Sequence, residues 1–105
     1  MAAISSPTSV TDICLAAQAA ARGLAATSSA VKDAALLAMA SALEARTPEI
    51  LEANARDLEA GRESGLSDAL MDRLALDERR VAAMAAGVRE VVALPDPVEI
   101  GRAHV

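Results

Sequence analysis

Thr47-Pro48-Glu49-Ile50-Leu51-Glu52-Ala53-Asn54-Ala55-Arg56-Asp57-Leu58, followed by Gly65-Leu66-Ser67 and Leu76-Asp77, is the part of this chain whose reading decides the fold. Thr47 has the chemistry of an N-cap, and Pro48 suits the first helical position, where the N–H it lacks would have no partner anyway. Glu49 adds negative charge in the first turn, where the helix dipole favours it. The spacing predicts a helix running to about Ser64 and stopped at Gly65, the residue that takes a left-handed C-terminal conformation at least cost. Ile50, Leu51 and Leu58 mark an apolar stripe, and at 3.6 residues per turn Asn54 falls in its middle. A polar residue there is either a buried amide tying off loop or helix-end backbone groups, or a ligand contact. The first reading is favoured, because ligand-contacting side chains sit more often on loops than in the face of a packed helix.

Two local devices continue the pattern downstream. With Ser67 as N-cap, Leu66 precedes the cap and Met71 lies four residues into the helix, the spacing of a hydrophobic staple. Asp77 repeats it, with Leu76 before the cap and Val81 at the fourth helical position. The helix that follows carries Val81, Met84, Ala85, Val88, Val91 and Val92 at core spacing, and Pro95-Asp96-Pro97 ends it. Upstream, Ser9 with Asp12 is a variant capping box. It opens a helix with an Ile13, Ala16, Ala17, Ala20, Leu24 stripe, within which Gly23 is tolerated at a cost of about 1 kcal/mol. Thr27-Ser28-Ser29 breaks and caps again, and a second helix over about Ala30–Ala45 places Leu36, Met39, Ala40 and Leu43 on one side. The prediction is all-α as the chain stands, with about five helices and no strand. Residues 1–10 read as a flexible leader.

Composition limits the classes open to such a chain. Aromatic residues are absent, so the core must be built from Leu, Val, Ile and Met against small alanine surfaces, and it will be thin. A net charge of −5 disfavours nucleic acid or an anionic membrane as a partner, since both need a basic face. The apolar runs at Ile13–Ala21 and Ala34–Leu43 are too short and interrupted to span a bilayer. Met1-Ala2-Ala3-Ile4-Ser5-Ser6 lacks the charged and apolar regions of a signal peptide. A single cysteine excludes an internal disulfide and suits a reducing, cytoplasmic setting.

Candidate chemistry is sparse. Cys14 lies in an apolar helical stretch with no basic neighbour to promote its thiolate, and reads as inert. His104, the only histidine, lies next to the terminus with nothing to orient it. Asp57, Glu59, Asp68, Asp72 and Glu78 are scattered over helix starts and outer faces, without an acid/base couple among them. Arg79-Arg80 falls in the first turn of a helix and reads as solvent-facing, while Met39, Met71 and Met84 fit core positions. The chain has no glycine-rich phosphate loop and no His/Cys cluster at metal spacing. No catalytic, cofactor-binding or metal-ligating residue is assigned.

The order of its segments nevertheless resembles a known family. Leu51-Glu52-Ala53-Asn54-Ala55-Arg56-Asp57-Leu58, then Gly65 to Leu74, then Val88-Arg89-Glu90-Val91, then Leu94-Pro95-Asp96-Pro97-Val98 is similar to the opening of γ-glutamyl phosphate reductase, of the aldehyde dehydrogenase superfamily. Val31-Lys32-Asp33-Ala34-Ala35-Leu36 agrees in position. The resemblance covers residues 11–98. It implies a helical N-terminal segment of an α/β cofactor domain in an enzyme of proline biosynthesis. That enzyme reduces γ-glutamyl phosphate with NADPH, through attack of a cysteine thiolate on the acyl phosphate and hydride transfer to the resulting thioester. It further implies a homo-oligomer when complete, with the catalytic cysteine and cofactor sheet downstream. Cys14 does not match the nucleophile's motif, so the expectation for this chain alone is an inactive piece that binds no NADPH and whose partner is the rest of its own polypeptide. Such a piece would be marginally stable or self-associating, because apolar faces would lack their neighbours.

After Val98 the pattern departs from the family. Glu99-Ile100-Gly101-Arg102-Ala103-His104-Val105 is the translation, in one frame, of a common short-read sequencing adapter, and residues 99–105 are expected to be a non-native tail. The alternatives to an enzyme segment are a free-standing helical interaction module, whose stripes dock on a partner, and a purely structural bundle. A compact monomer with all five stripes mutually buried would favour either of those.

Overall fold

The computed structural model describes residues 8–99, and within them five α-helices, a further helical turn at 97–99 and no strand are present. The first, α1, spans Val10–Ala25 and is capped by Ser9, whose hydroxyl accepts the Asp12 N–H at 3.1 Å. Gly23 lies inside α1, as the continuation of the stripe to Leu24 predicts. Ser28 opens α2 (Ser29–Ala45) in the same way through the Val31 N–H. The remaining helices are α3 (Thr47–Glu63), α4 (Asp68–Leu74) and α5 (Glu78–Val92). Most of the leader and tail, and His104, fall outside the described residues.

Thr47 is not the N-cap expected of it. A single residue, Arg46, separates α2 from α3, and Arg46 occupies the capping position of α3 without a side-chain hydrogen bond. The Thr47 hydroxyl instead points backwards and donates to the carbonyls of Leu43 and Glu44 at 2.9 and 3.0 Å. The last turn of α2 offers carbonyls that have no intrahelical partner, and with so short a joint they are the nearest acceptors. Pro48 keeps its place in the first turn of α3.

Gly65 closes α3 as expected, and here the left-handed conformation is required. Its φ is +80°. The Gly65 N–H reaches the Arg62 carbonyl at 3.1 Å and the Leu66 N–H reaches Gly61 at 3.0 Å, a complete Schellman pair. The turn lays α4 back on α3. Ser67 then caps α4 and Asp77 caps α5, accepting the N–H groups of Leu70 and Arg80.

The broadest helix–helix contact is α2 on α5, and α3 packs against α4, α2 and α5. At its centre Val81, Ala85 and Ala40 are fully buried. One valine and two alanines make a thin core, as a chain without aromatics must; burying the valine contributes about 1.5–3 kcal/mol. The α5 stripe is narrower than its sequence suggests. Val81 and Ala85 are buried with Val88 and Val92 half-buried, while Met84 and Val91 face solvent. Met39 of α2 is likewise 55% exposed. These positions have helical core spacing but no described element covers them.

The α1 helix differs from all the rest, with no buried residue and no extended contact with another helix. It widens the molecule. The radius of gyration is 18.4 Å, where a close-packed chain of this length has about 13 Å. Five stripes are present, but they are not mutually buried.

Candidate functional site

Asn54 sits where the helical spacing puts it, on the inner face of α3, 7% exposed. Both ends of its amide are engaged. Its Nδ2 donates to the Leu74 carbonyl at 2.9 Å, and its Oδ1 accepts the Leu76 N–H at 2.8 Å. Leu74 ends α4 and Leu76 precedes the cap of α5, so one side chain clips the joint between two helices. The Leu74 carbonyl and the Leu76 N–H lie past the end of one helix and before the start of the next, where regular structure supplies no partner. The structural reading of Asn54 therefore holds, and its amide is committed to backbone.

Gly61, seven residues on along the same face, is also buried. A Cβ there would meet Leu66 Cδ1 and Met71 Sδ, each at 2.9 Å. Leu66 and Met71 are the staple pair of α4, and they close over Gly61 because it has no side chain. The position is legible in principle, as a glycine repeating on the stripe of a helix marks a close approach.

An open groove of about 880 Å³ runs between α2, α3 and α5, with Met39, Leu43, Ile50, Ala53 and Val88 as its apolar lining. Arg46, Glu49, Glu52 and Arg56 supply its charge. Those charges are already matched: Arg46 pairs with Glu49 at 2.6 Å and Arg56 with Glu52 at 3.2 Å. The hydrogen bond from Arg46 lowers the pKa of Glu49, and the same bond raises that of Arg46. Both pairs lie along a solvated surface, where such bridges contribute little. The groove is therefore apolar along its floor, with its paired charges at the solvated rim.

The third polar cluster ties the start of α2 to the segment that follows α5. Asp96 Oδ2 accepts from Ser29 Oγ at 2.8 Å and from Lys32 Nζ at 2.9 Å, and its Oδ1 accepts the Val98 N–H at 2.9 Å. These donors, Lys32 first and then Ser29 and Val98, hold the Asp96 pKa down to about 2. A second long-range pair, Glu44 of α2 with Arg89 of α5, is bidentate, and the hydrogen bonds from Arg89 lower the Glu44 pKa. Sequence reading misses both pairs. Asp-Pro followed by an N–H two residues beyond the aspartate is an Asx-turn signature, which is available for the Val98 contact but not for Lys32.

The other candidates remain apart. Cys14 is exposed on α1, near neither Asn54 nor the groove. Arg79 is exposed, whereas Arg80 donates to the carbonyls of Asp72 and Ala75 and closes the end of α4. Asp57, Asp68 and Glu78 are exposed; Glu59 pairs with Arg62 on α3 and Asp72 lies 3.7 Å from Arg80. Among the described residues no three His, Cys, Asp or Glu side chains are grouped to hold a metal ion, and no helix is long and apolar enough to cross a membrane.

Comparison with known proteins gives the arrangement its context. Over 82 residues the chain is 60% identical to the γ-glutamyl phosphate reductase of Geotalea daltonii and 60% to that of Moorella thermoacetica. It is 56% identical over the same length to the protein of that name from Syntrophomonas wolfei. By sequence, this segment is similar to the opening of proteins named γ-glutamyl phosphate reductase. The match takes in 78% of this chain but 20% of each relative, so the chain spans about one fifth of their length, at the N-terminal end. No family profile and no solved structure matches the chain.

Proposed function

We propose that this segment is the N-terminal helical part of an NADPH-dependent oxidoreductase that converts L-glutamyl 5-phosphate to L-glutamate 5-semialdehyde in proline biosynthesis. The observation that carries the reading is 60% identity over 82 residues to proteins named for that reduction. An all-helical segment with an amide, a glycine and a carboxylate committed to internal packing suits a scaffold. Its described polar groups, Asn54 and Asp96 foremost, hold helices and connecting backbone together. In this reading the nucleophile and the nicotinamide site belong to the part of the relatives outside the match, and the 105-residue chain does not turn over substrate.

The test is to recover the parent locus, express whatever reading frame continues past Val98, and follow NADPH oxidation with γ-glutamyl phosphate generated in the assay. The longer product is expected to oxidise NADPH only when the acyl phosphate is present, and the shorter chain not at all. A longer product without substrate-dependent oxidation, or turnover by the short chain, would overturn the reading.

A further inference from the structure

Residues 93–99 follow α5 back towards the start of α2, and what holds them there is polar. Ala93, Leu94, Pro95 and Pro97 are exposed, Leu94 by 64%, so the half-buried Val98 is the one apolar side chain of the segment withdrawn from solvent. The Asp96 side chain is also largely covered, 12% exposed, with the Lys32 side chain over it at 21%. One carboxylate thus collects a hydroxyl and an ammonium from residues 67 and 64 positions away in sequence, and a backbone N–H from its own turn. Glu99 adds a longer contact, accepting the Ser29 N–H at 3.4 Å.

We propose that Asp96 is a latch: it fixes where and in which direction the polypeptide leaves the helices, and it opens as a unit separate from the α2–α5 core. The separation follows from what each part is made of. The fully buried residues, Val81, Ala85 and Ala40, all lie outside residues 93–99, and the contacts of Asp96 are hydrogen bonds and one ion pair that need no apolar burial to form. Local openings of this kind occur where buried apolar contacts are few. Ser29 is the first residue of α2 and Lys32 lies one turn in, so the latch also covers the end of a helix whose backbone N–H groups lack intrahelical partners. For the reductase reading, on which the directional consequence rests, Asp96 would be a positioning residue. It would set the course of the chain into the remaining four fifths of the relatives' length.

Hydrogen exchange on the 105-residue chain, resolved by peptide, tests the latch without any turnover, so its failure and that of the reductase reading are distinguishable. Asp96→Ala should raise the exchange rate of the Val98 amide and of the first turn of α2 at least tenfold, leaving the centre of α5 around Val81 unchanged. Lys32→Ala, which keeps the Ser29 and Val98 contacts, should give a smaller rise at the same amides and decides the matter if Asp96→Ala does not fold. Equal acceleration across the whole chain in Lys32→Ala would overturn the proposal, as would no change at residues 93–99 in either variant. So would a parent chain whose residues 93–99 already exchange like a free peptide.

Discussion

Helices α1 and α5 are built by the same local rules and end in opposite circumstances. Each opens on a side chain that accepts the N–H three residues on, Ser9 from Asp12 and Asp77 from Arg80. Each carries an acid in its first turn and an arginine in its last, and each repeats apolar residues at helical spacing. Yet α5 buries Val81 and Ala85 whereas α1 buries nothing. Caps, dipole and alanine content make a helix; they do not supply what it packs against. The stripe on α1 is evidence of a face suited to burial, and the described residues contain no partner for it. The difference locates stability in α2–α5 and predicts where substitution will matter.

The largest effect is expected at Asn54. Asn54→Ala removes both hydrogen bonds and leaves the Leu74 carbonyl and the Leu76 N–H without their partner, a loss of about 2–4 kcal/mol for two partly buried groups. In a chain with so thin a core this should appear in urea titration as a shift of the midpoint to much lower denaturant, or as lost cooperativity. An unchanged midpoint would mean that water replaces the amide freely and that the α4–α5 joint is not held by α3. Val81→Ala comes next, at about 2 kcal/mol for two methyl groups lost from a fully buried site.

Gly61→Ala tests how closely α4 approaches α3. Alanine gains roughly 1 kcal/mol of helix propensity over glycine, and overpacking a tight site costs about 1–3 kcal/mol. Leu66 Cδ1 and Met71 Sδ, 2.9 Å from the new Cβ, belong to the two staple side chains, and both must shift to admit it. The net is a destabilisation of about 1 kcal/mol. Stabilisation by the same substitution would show that the staple yields and that the glycine is not needed there.

These sites divide by how local their cause is, and that division explains which of them the amino-acid order reveals. Ser9, Ser67, Asp77 and Gly65 act on atoms only a few residues away, so their roles are legible in the sequence alone. Asn54 is legible because its anomaly, a polar residue in an apolar stripe, admits few resolutions, although its partners 20 and 22 residues away do not announce themselves. Thr47 misleads because a threonine before a proline is equally able to start one helix or finish another. Only the single-residue joint at Arg46 decides between them. Met39, Met84 and Val91 have core spacing, and spacing says nothing about whether a neighbour is there. Lys32 with Asp96 and Glu44 with Arg89 join residues 64 and 45 apart, a pairing set by how α5 lies on α2. The assignment to a family comes from the order of several segments taken together, since no single motif carries chemistry.

Acid titration separates the latch from the core. The folded-state pKa of Asp96 is about 2, below its ordinary 3.8, so the unfolded chain takes up the proton first as pH falls. The contribution of the latch is therefore complete above about pH 4 and is lost as pH falls through about 2. Glu44 and Glu49, also lowered by their arginine partners, lose stabilisation in the acid range too. Following the exchange of the Val98 amide against pH isolates Asp96 from them, because Glu44 and Glu49 are paired with Arg89 and Arg46 rather than with the 93–99 segment. In Asp96→Asn that amide should show no acid transition, and a transition retained in the variant would assign it to another carboxylate.

The smallest effect is the one that bears most directly on the contrast between helices. Ile13 heads the α1 stripe and is 55% exposed, so Ile13→Ala forfeits little burial and replaces a β-branched residue by the best helix former. Its effect on the urea midpoint should lie within about 0.5 kcal/mol of zero, against the roughly 2 kcal/mol of Val81→Ala. The comparison is made at a chain concentration low enough for a single species in sedimentation, then repeated at high concentration. A substantial loss at low concentration would mean that α1 packs on the bundle within one chain. A loss appearing only as the concentration rises would mean that the stripe is covered by another copy. Indifference at both leaves α1 as a helix made by its own caps and alanines.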